Sequence, residues 1–210
     1  MNATLKQFIR NYWILLILVV VKILLQYFVV NPVYELHRDE FLYLDQAFHP
    51  QAGYISVPPF TSWVSQLIFL FGGELFWVRF FTALSGAITI IFAWLIVEEL
   101  GGEITAKVLV SCLLIFSVFT RLNILLQPNT FEVLAWIAVF YFLIRYIHST
   151  RPIWLFLTAV MIALSVYIKY NIIFLLIGLF SGLILTAQRK IFTRRIFYMA
   201  ALLCLVLLLP

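Results

Sequence analysis

The stretch YWILLILVVVKILLQYFVV, residues 12–30, decides the fold of this chain. It is apolar or aromatic apart from Lys22 and Gln26, and it has the roughly 20 residues that a helix needs to cross a bilayer. Lys6 and Arg10 precede it, and no small-residue cleavage site follows it. We therefore interpret it as a retained first spanning helix and not as a cleaved signal peptide.

The composition of the whole chain agrees with this start. Of its 210 residues, 65% belong to the apolar class AVILMFWYC and only 11% are charged. A single soluble core cannot hide this much apolar surface, since soluble domains are about half apolar and a quarter charged. The composition excludes a water-soluble enzyme, a disordered or fibrous chain and a nucleic-acid-binding module.

Six further apolar runs follow residues 12–30, and each predicts a spanning helix. The runs are about Leu75–Leu100, Ile104–Phe119, Thr130–Tyr146, Ile153–Ile168 and Ile172–Ala187, with the last beginning near Ile196. Lys169, Tyr170 and Asn171 form a polar break between two of them. The sequence therefore predicts an all-α polytopic membrane protein with about seven spanning helices and one transmembrane region over residues 1–210.

A polar loop over residues 31–73 separates the first two spans and predicts two short helices. Residues Asp39–His49 are amphipathic, with Asp39, Glu40, Tyr43 and Gln46 at helical spacing on one face. Residues Pro59–Phe71 form a second helix of roughly 20 Å, which is too short to cross a bilayer. We expect both helices to lie in the membrane interface.

The cations predict the orientation of the chain. Nine of the 14 Lys and Arg residues fall at one side of the predicted spans and four at the other, and positive charge favours the cytoplasmic side. We therefore expect an inner-membrane protein whose 31–73 loop lies on the extracytoplasmic face. The nine are Lys6, Arg10, Lys107, Arg145, Arg151, Arg189, Lys190, Arg194 and Arg195; the four are Arg38, Arg79, Arg121 and Lys169.

The loop contains the most reactive cluster of the chain, His37-Arg38-Asp39-Glu40. Acids at a membrane surface are costly unless hydrated or paired, and a partly desolvated carboxylate can serve as a general base. Acids at a helix N-terminus also suit the helix dipole, so a solvated structural role stays open from the residues alone.

Several short blocks stand in a fixed order along residues 35–195. They are Arg38-Asp39-Glu40-Phe41-Leu42-Tyr43-Leu44, Gly53-Tyr54, Pro58-Pro59-Phe60, Phe71-Gly72-Gly73, Arg79-Phe80, residues 127–132 and Lys169-Tyr170. This order resembles glycosyltransferase family 39, which includes protein O-mannosyltransferases and lipid A aminoarabinose transferases. The resemblance implies a membrane glycosyltransferase of the GT-C type with a polyprenyl-phosphate sugar donor. Such proteins have a longer C-terminal part, which we expect to be missing from residues 1–210.

The resemblance also implies roles for individual residues. It implies that Asp39 is the catalytic carboxylate that takes the proton of the acceptor. It implies that Glu40 orients the acceptor or substrate. By the same resemblance, we expect Lys169 and Arg38 to contact the lipid phosphate. We expect Tyr43 and Tyr54 to be substrate-binding aromatic residues. The acceptor, whether a glycan, lipid or protein, is not specified. Val57 stands where some relatives carry a further lysine.

Three expectations remain open alongside these roles. Asn129 and Glu132 have the spacing of a capping box at the start of a helix. Lys22 lies in the middle of a span and needs a partner, and a bundle-facing ion pair is the simplest one. No ligand spacing demands a metal or another cofactor, although relatives differ in their use of a divalent cation.

Two other functions compete with the enzyme. A transporter or flippase would place Asp39 along a path through the bundle, whereas an enzyme of this kind would place it in a cavity open at one side. A non-catalytic membrane subunit related to family 39 is the second alternative, because Val57 departs from the lysine of some relatives.

Overall fold

The computed structural model describes residues 3–30 and 36–209, and residues 31–35 of the predicted outer loop lie outside these ranges. All regular elements within the described ranges are helices. They are α1 (Ala3–Val29), α2 (Arg38–Gln46), α3 (Phe60–Leu70), α4 (Leu75–Glu99), α5 (Ile104–Ile115), α6 (Val118–Leu122), α7 (Pro128–Ser149), α8 (Pro152–Ile168), α9 (Ile172–Leu185), a 3₁₀ helix (Ala187–Thr193) and α10 (Arg195–Leu207).

Contacts between distant residues define two ends of the helix bundle. At one end, Glu99 of α4 forms an ion pair with Arg145 of α7. At the other end, Lys169 follows α8 and donates a hydrogen bond to Asn129 at the start of α7. We call these the Arg145 end and the Asp39 end, since α2 lies at the latter. The longer helices run between the two ends.

The all-helical prediction is confirmed for the described residues, while the number of spans is only partly supported. Within the described ranges, three helices are long and apolar enough to cross a membrane: Asn11–Val29 within α1, α4 and α7. A fourth is obtained if α9 and the 3₁₀ helix, which bend by 105°, count as one. The remaining apolar helices are shorter than a full span, so the count of seven stays a prediction.

The predicted third span, Ile104–Phe119, is interrupted. Helix α5 ends at Ile115 and α6 begins at Val118. Ser117 caps the new helix, because its side chain accepts a hydrogen bond from the backbone N–H of Phe119 at 3.4 Å. A serine in this position favours a helix start over continuation of the preceding helix, and the hydropathy of the run does not reveal this.

The two short helices of the loop are present where the sequence predicts them. Helix α2 begins one residue earlier and ends three residues earlier than Asp39–His49, because the chain turns after Gln46. Its buried side chains are Glu40, Tyr43 and Gln46. The polar face of α2 therefore packs against the protein, whereas Phe41 and Leu42 are exposed. The location of both helices in the interface stays a prediction.

A glycine pair ends α3. Gly72 and Gly73 have φ angles of +106° and +73°, which favour glycine. Their N–H groups donate to the carbonyls of Phe69 and Ile68, each at 3.0 Å. This pairing is a Schellman motif, and it turns the chain directly into α4.

An apolar core at the Asp39 end joins the helices that carry the site. Side chains from α3, α4, α7 and α8 pack together there with Leu126 of the loop before α7. The buried members are Val64, Ile68, Val78, Leu126, Phe131, Ala135 and Ile168. Close packing of this kind fixes the ends of these helices relative to one another.

Candidate active site

A buried ion pair fixes α2 on the bundle. Glu40 is fully buried, and Oε1 and Oε2 accept hydrogen bonds from Arg79 of α4 at 2.5 and 3.2 Å. The Leu126 N–H donates to the same carboxylate at 2.7 Å and the His37 N–H at 2.6 Å. Arg79 also donates to the Ile124 carbonyl at 2.6 Å. This network satisfies a charge that would otherwise be costly to bury.

Asp39, the adjacent residue, points elsewhere and lines a cavity of about 320 Å³ at the Asp39 end. The cavity lies between α2, the loop before α3, the start of α7 and the loop after α8. Its other lining residues are Tyr43, Ser56, Val57, Pro58, Gln127, Pro128, Asn129, Ile168, Lys169, Tyr170 and Asn171. The structure thus brings Asp39, Tyr43 and Lys169 into one cavity.

The Asp39 side chain is 40% exposed and its neighbours are polar. Gln127 donates a hydrogen bond to Oδ2 at 3.2 Å, and the Arg38 Nε donates to Oδ1 at 3.3 Å. His37 Nδ1 lies 3.8 Å from Oδ2. These contacts hold the carboxylate in place and leave it accessible from the cavity. Gln127 was not predicted as a site residue from the sequence.

Lys169 is held by two residues of α7. Its ammonium donates to Asn129 Oδ1 at 2.7 Å and to Glu132 Oε2 at 3.3 Å. The capping box predicted for Asn129 and Glu132 is wrong, because α7 begins at Pro128 and has no side-chain cap. A lysine ammonium has three donors, so one donor of Lys169 remains for a ligand.

Tyr43 is buried beside Asp39 and lines the same cavity. Burial raises the pKa of the Tyr43 hydroxyl above its ordinary value, and the negative charge of Asp39 raises it further. The sign of both effects favours the protonated form. Tyr43 is therefore a neutral hydrogen-bond donor at physiological pH.

Tyr54 lies outside the residues that line this cavity. Its hydroxyl is 2.9 Å from the carbonyls of Gln46 and His49 and 2.8 Å from Ser62 Oγ. It joins the end of α2 to α3 through these contacts. The substrate-binding role expected for Tyr54 stays a prediction, and the contacts favour positioning of α2.

Arg38 is directed to a neighbouring cavity of about 370 Å³. Arg79 and Arg121 also line this cavity, together with His37. Arg38 and Lys169, which the resemblance assigns to one lipid phosphate, thus line different cavities, although Arg38 also contacts Asp39 of the Lys169 cavity. The Arg121 side chain makes no hydrogen bond or ion pair with the described part of the chain, and its backbone carbonyl accepts from the Ile124 N–H at 3.2 Å.

The described residues of the site do not form a metal centre of the usual kind. Among residues 3–30 and 36–209, no three His, Cys, Asp or Glu side chains lie close enough to hold one metal ion. Both oxygens of Glu40 already accept hydrogen bonds, so Glu40 is not free to bind a cation with Asp39.

Lys22 has a partner that the sequence did not suggest. The side chain is 1% exposed, and its ammonium donates to Thr120 Oγ1 at 3.0 Å. Gln26 donates to the Thr120 carbonyl at 3.0 Å. The described contacts of Lys22 do not include the expected ion pair. The ammonium instead donates to the hydroxyl of Thr120 in α6, just after the break between α5 and α6.

An apolar groove of about 570 Å³ runs between α7 and α9. Trp136 and Phe174 line it toward the Asp39 end, and Leu183 lines it toward the Arg145 end. Trp136 is one helical turn beyond Glu132, which contacts Lys169. The groove therefore begins close to the Lys169 side of the cavity.

The chain matches the model of a protein family. The sequence model described as dolichyl-phosphate-mannose-protein mannosyltransferase matches residues 56–210, which is more than half of the chain and includes Lys169. Neither the comparison with curated proteins nor that with solved structures gives a match.

Proposed function

Since the chain belongs to the dolichyl-phosphate-mannose-protein mannosyltransferase family, we propose that it transfers a sugar from a polyprenyl-phosphate donor to an acceptor nucleophile in the cavity lined by Asp39 and Lys169. The observation that carries this proposal is the shared cavity: one carboxylate able to accept a proton and one ammonium able to bind a phosphate line the same space. These are the two charges that the reaction requires.

Asp39 is the general base in this mechanism. The acceptor hydroxyl or amine loses its proton to the Asp39 carboxylate as its oxygen or nitrogen forms a bond to the anomeric carbon. The bond from that carbon to the phosphate oxygen breaks at the same time, and its electron pair leaves with the polyprenyl phosphate. Inversion at the anomeric carbon follows from a single displacement. General-base catalysis of this kind contributes about 10²–10⁴ in rate.

Lys169 stabilises the leaving group. The phosphate gains negative charge as the sugar departs, and a fixed cation beside it lowers the energy of the transition state. Asn129 and Glu132 hold the Lys169 ammonium from one side. Tyr43 supplies a neutral hydroxyl to the sugar or the phosphate, because its pKa lies above the ordinary value.

The apolar groove between α7 and α9 suits the isoprenoid tail of the donor. It is lined by aromatic and aliphatic side chains and begins next to the residues that hold Lys169. A lipid lying in this groove would have its phosphate at the cavity and its tail between the helices. We assign Arg38 to the second, arginine-lined cavity, where it can hold Asp39 in position or bind an anionic part of a substrate.

The location of the cavity favours an enzyme over a transporter. The residues that line it belong to α2, the loop before α3, the start of α7 and the loop after α8, all at the Asp39 end. A transport path would continue through the bundle. We propose that this end faces the extracytoplasmic side, which agrees with the charge bias of the sequence.

The test is mass spectrometry of lipid-linked sugars and surface glycans in cells that carry Asp39→Asn. We expect loss of one glycan and accumulation of its lipid-linked donor, because the base is removed while the donor site remains. Asp45→Asn is the matched control, as Asp45 is exposed on the same helix and does not line the cavity. Unchanged glycans in Asp39→Asn cells would contradict the proposal.

A further inference from the structure

A further polar cavity lies at the opposite end of the bundle, where the mechanism above has no role for it. The 3₁₀ helix Ala187–Thr193 follows a 105° bend after α9 and packs near the end of α7. A cavity of about 240 Å³ lies between them. It is lined by Tyr146, Ile147, Thr150, Ala187, Gln188, Lys190, Ile191 and Arg194.

The charged residues that line this cavity are both cations. Lys190 and Arg194 are exposed, and neither side chain makes a hydrogen bond or ion pair with any described residue. Glu99 of α4 lies nearby, but its carboxylate already pairs with Arg145 and His148 of α7. The cavity therefore has an uncompensated positive charge, which suits an anionic ligand.

Tyr146 gives a second, independent indication of a ligand. The side chain is 1% exposed, and its buried hydroxyl has no hydrogen-bond partner among the described residues. Leaving a buried polar group without a partner costs about 1–3 kcal/mol. Such groups are rare in folded proteins and call for a partner, and here the residue lines a cavity with two free cations.

An apolar cavity of about 270 Å³ adjoins the polar one, and Ile191 lines both. Its walls come from α7, α8, α9, the 3₁₀ helix and α10, and they are almost entirely apolar. Leu143, Leu155, Ala159 and Cys204 are among them. A ligand that spans both cavities needs an anionic head and a hydrocarbon chain.

We propose that this pair of cavities binds an anionic membrane phospholipid. Lys190 and Arg194 bind the headgroup phosphate, the Tyr146 hydroxyl donates a hydrogen bond to it, and one acyl chain enters the apolar cavity behind Ile191. Basic pockets between helices at a membrane surface bind anionic lipid headgroups in this way. The polar cavity is at the Arg145 end, away from the cavity lined by Asp39 and Lys169, whereas the apolar cavity shares Leu143, Leu179 and Leu183 with the groove proposed for the donor tail. The lipid site does not depend on the proposed function.

The test is native mass spectrometry of the purified full-length protein titrated with phosphatidylglycerol. We expect one tightly held lipid in the wild type. The double variant Lys190→Gln, Arg194→Gln is expected to bind this lipid about tenfold more weakly or worse, as two cationic contacts to the headgroup are lost. Tyr146→Phe is expected to lower the affinity by a smaller factor without changing the charge.

The matched control is the double variant Arg189→Gln, Arg195→Gln. It removes two charges from the same segment, and neither residue lines the cavity. Its affinity for phosphatidylglycerol should equal that of the wild type. Equal losses in the two double variants would overturn the proposal, because the lipid would then respond to general charge and not to this cavity.

Two further ligands separate the headgroup from the chain. Phosphatidylcholine has no net charge and should bind markedly more weakly than phosphatidylglycerol. Inorganic phosphate has no chain and should not displace the lipid at millimolar concentration. Inorganic phosphate that binds as tightly as the lipid would overturn the assignment of the apolar cavity to an acyl chain. A thermal melt of each variant shows that it is folded.

Discussion

Asp39 and Glu40 are adjacent in the sequence but have different environments. Asp39 lines a cavity and is partly exposed, whereas Glu40 is fully buried against Arg79. The sequence predicts that the pair belongs to a site, and its resemblance to a family singles out Asp39. The sequence alone does not predict which of the two carboxylates is buried, because the partner of Glu40 lies 39 residues away on another helix.

Removal of the Glu40 carboxylate should mainly affect stability. Glu40→Ala leaves the Arg79 guanidinium buried with its ion pair broken, so we expect a loss of about 3–5 kcal/mol. The measurement is chemical or thermal unfolding in detergent micelles. Glu74→Gln is the control, since Glu74 is exposed and makes no side-chain cap. A Glu40→Ala protein as stable as the wild type would show that the Glu40–Arg79 ion pair contributes little to stability.

Replacement of Lys169 should weaken use of the donor. Lys169→Gln removes one charge-assisted contact to the phosphate, worth about 1.5–3 kcal/mol, so kcat/KM for the donor should fall about tenfold to a hundredfold. Lys169→Arg keeps the charge and should retain most of the activity. Initial rates at varied donor concentration give kcat/KM for both variants. Unchanged kcat/KM in Lys169→Gln would remove Lys169 from the phosphate site.

At the scale of elements, hydropathy together with glycine and proline residues predicts most helix boundaries. Gly72 and Gly73 follow the end of α3, and Gly101 follows the end of α4, each with a positive φ angle. The break between α5 and α6 escapes prediction because the run remains apolar across it. Ser117 caps α6 at the break, and α6 then presents Thr120 to Lys22 and Gln26 of α1.

Close packing of α4 against this break gives a second prediction about stability. A Cβ atom at Gly86 would lie 2.5 Å from Asn123 Oδ1 and 2.8 Å from Lys22 Cε, whereas nothing lies within 4 Å of a Cβ at Gly178 in α9. Gly86→Ala should therefore destabilise the protein by about 1–3 kcal/mol. Gly178→Ala should stabilise it by about 0.5–1 kcal/mol, since alanine favours a helix. Thermal unfolding of both variants in the same detergent compares them, and equal shifts would contradict the close packing.

At the scale of the whole molecule, the sequence predicts seven passes and the structure gives three or four helices of full spanning length. The shorter helices still connect the two ends, as the ion pair at one end and the Lys169 contacts at the other indicate. Length alone is therefore a poor guide for helices that are bent or interrupted. A membrane-based measurement is needed to count the passes.

Cysteine labelling tests the predicted orientation. In a background with Cys112→Ala and Cys204→Ala, Asp45→Cys and Arg189→Cys should react from opposite sides of the membrane. We expect an impermeant maleimide to label Asp45→Cys in intact cells and Arg189→Cys only after permeabilisation, because an odd number of passes separates the two positions. Labelling of both from one side would contradict seven passes.

The central claim is that Asp39 takes the proton of the acceptor, and single-turnover transfer with purified protein tests it most directly. With donor and acceptor both saturating, Asp39→Asn should lower the transfer rate by about 10²–10⁴, while the affinity for the donor lipid and the rate of Asp45→Asn remain as in the wild type. An Asp39→Asn protein that transfers sugar at the wild-type rate would contradict the account.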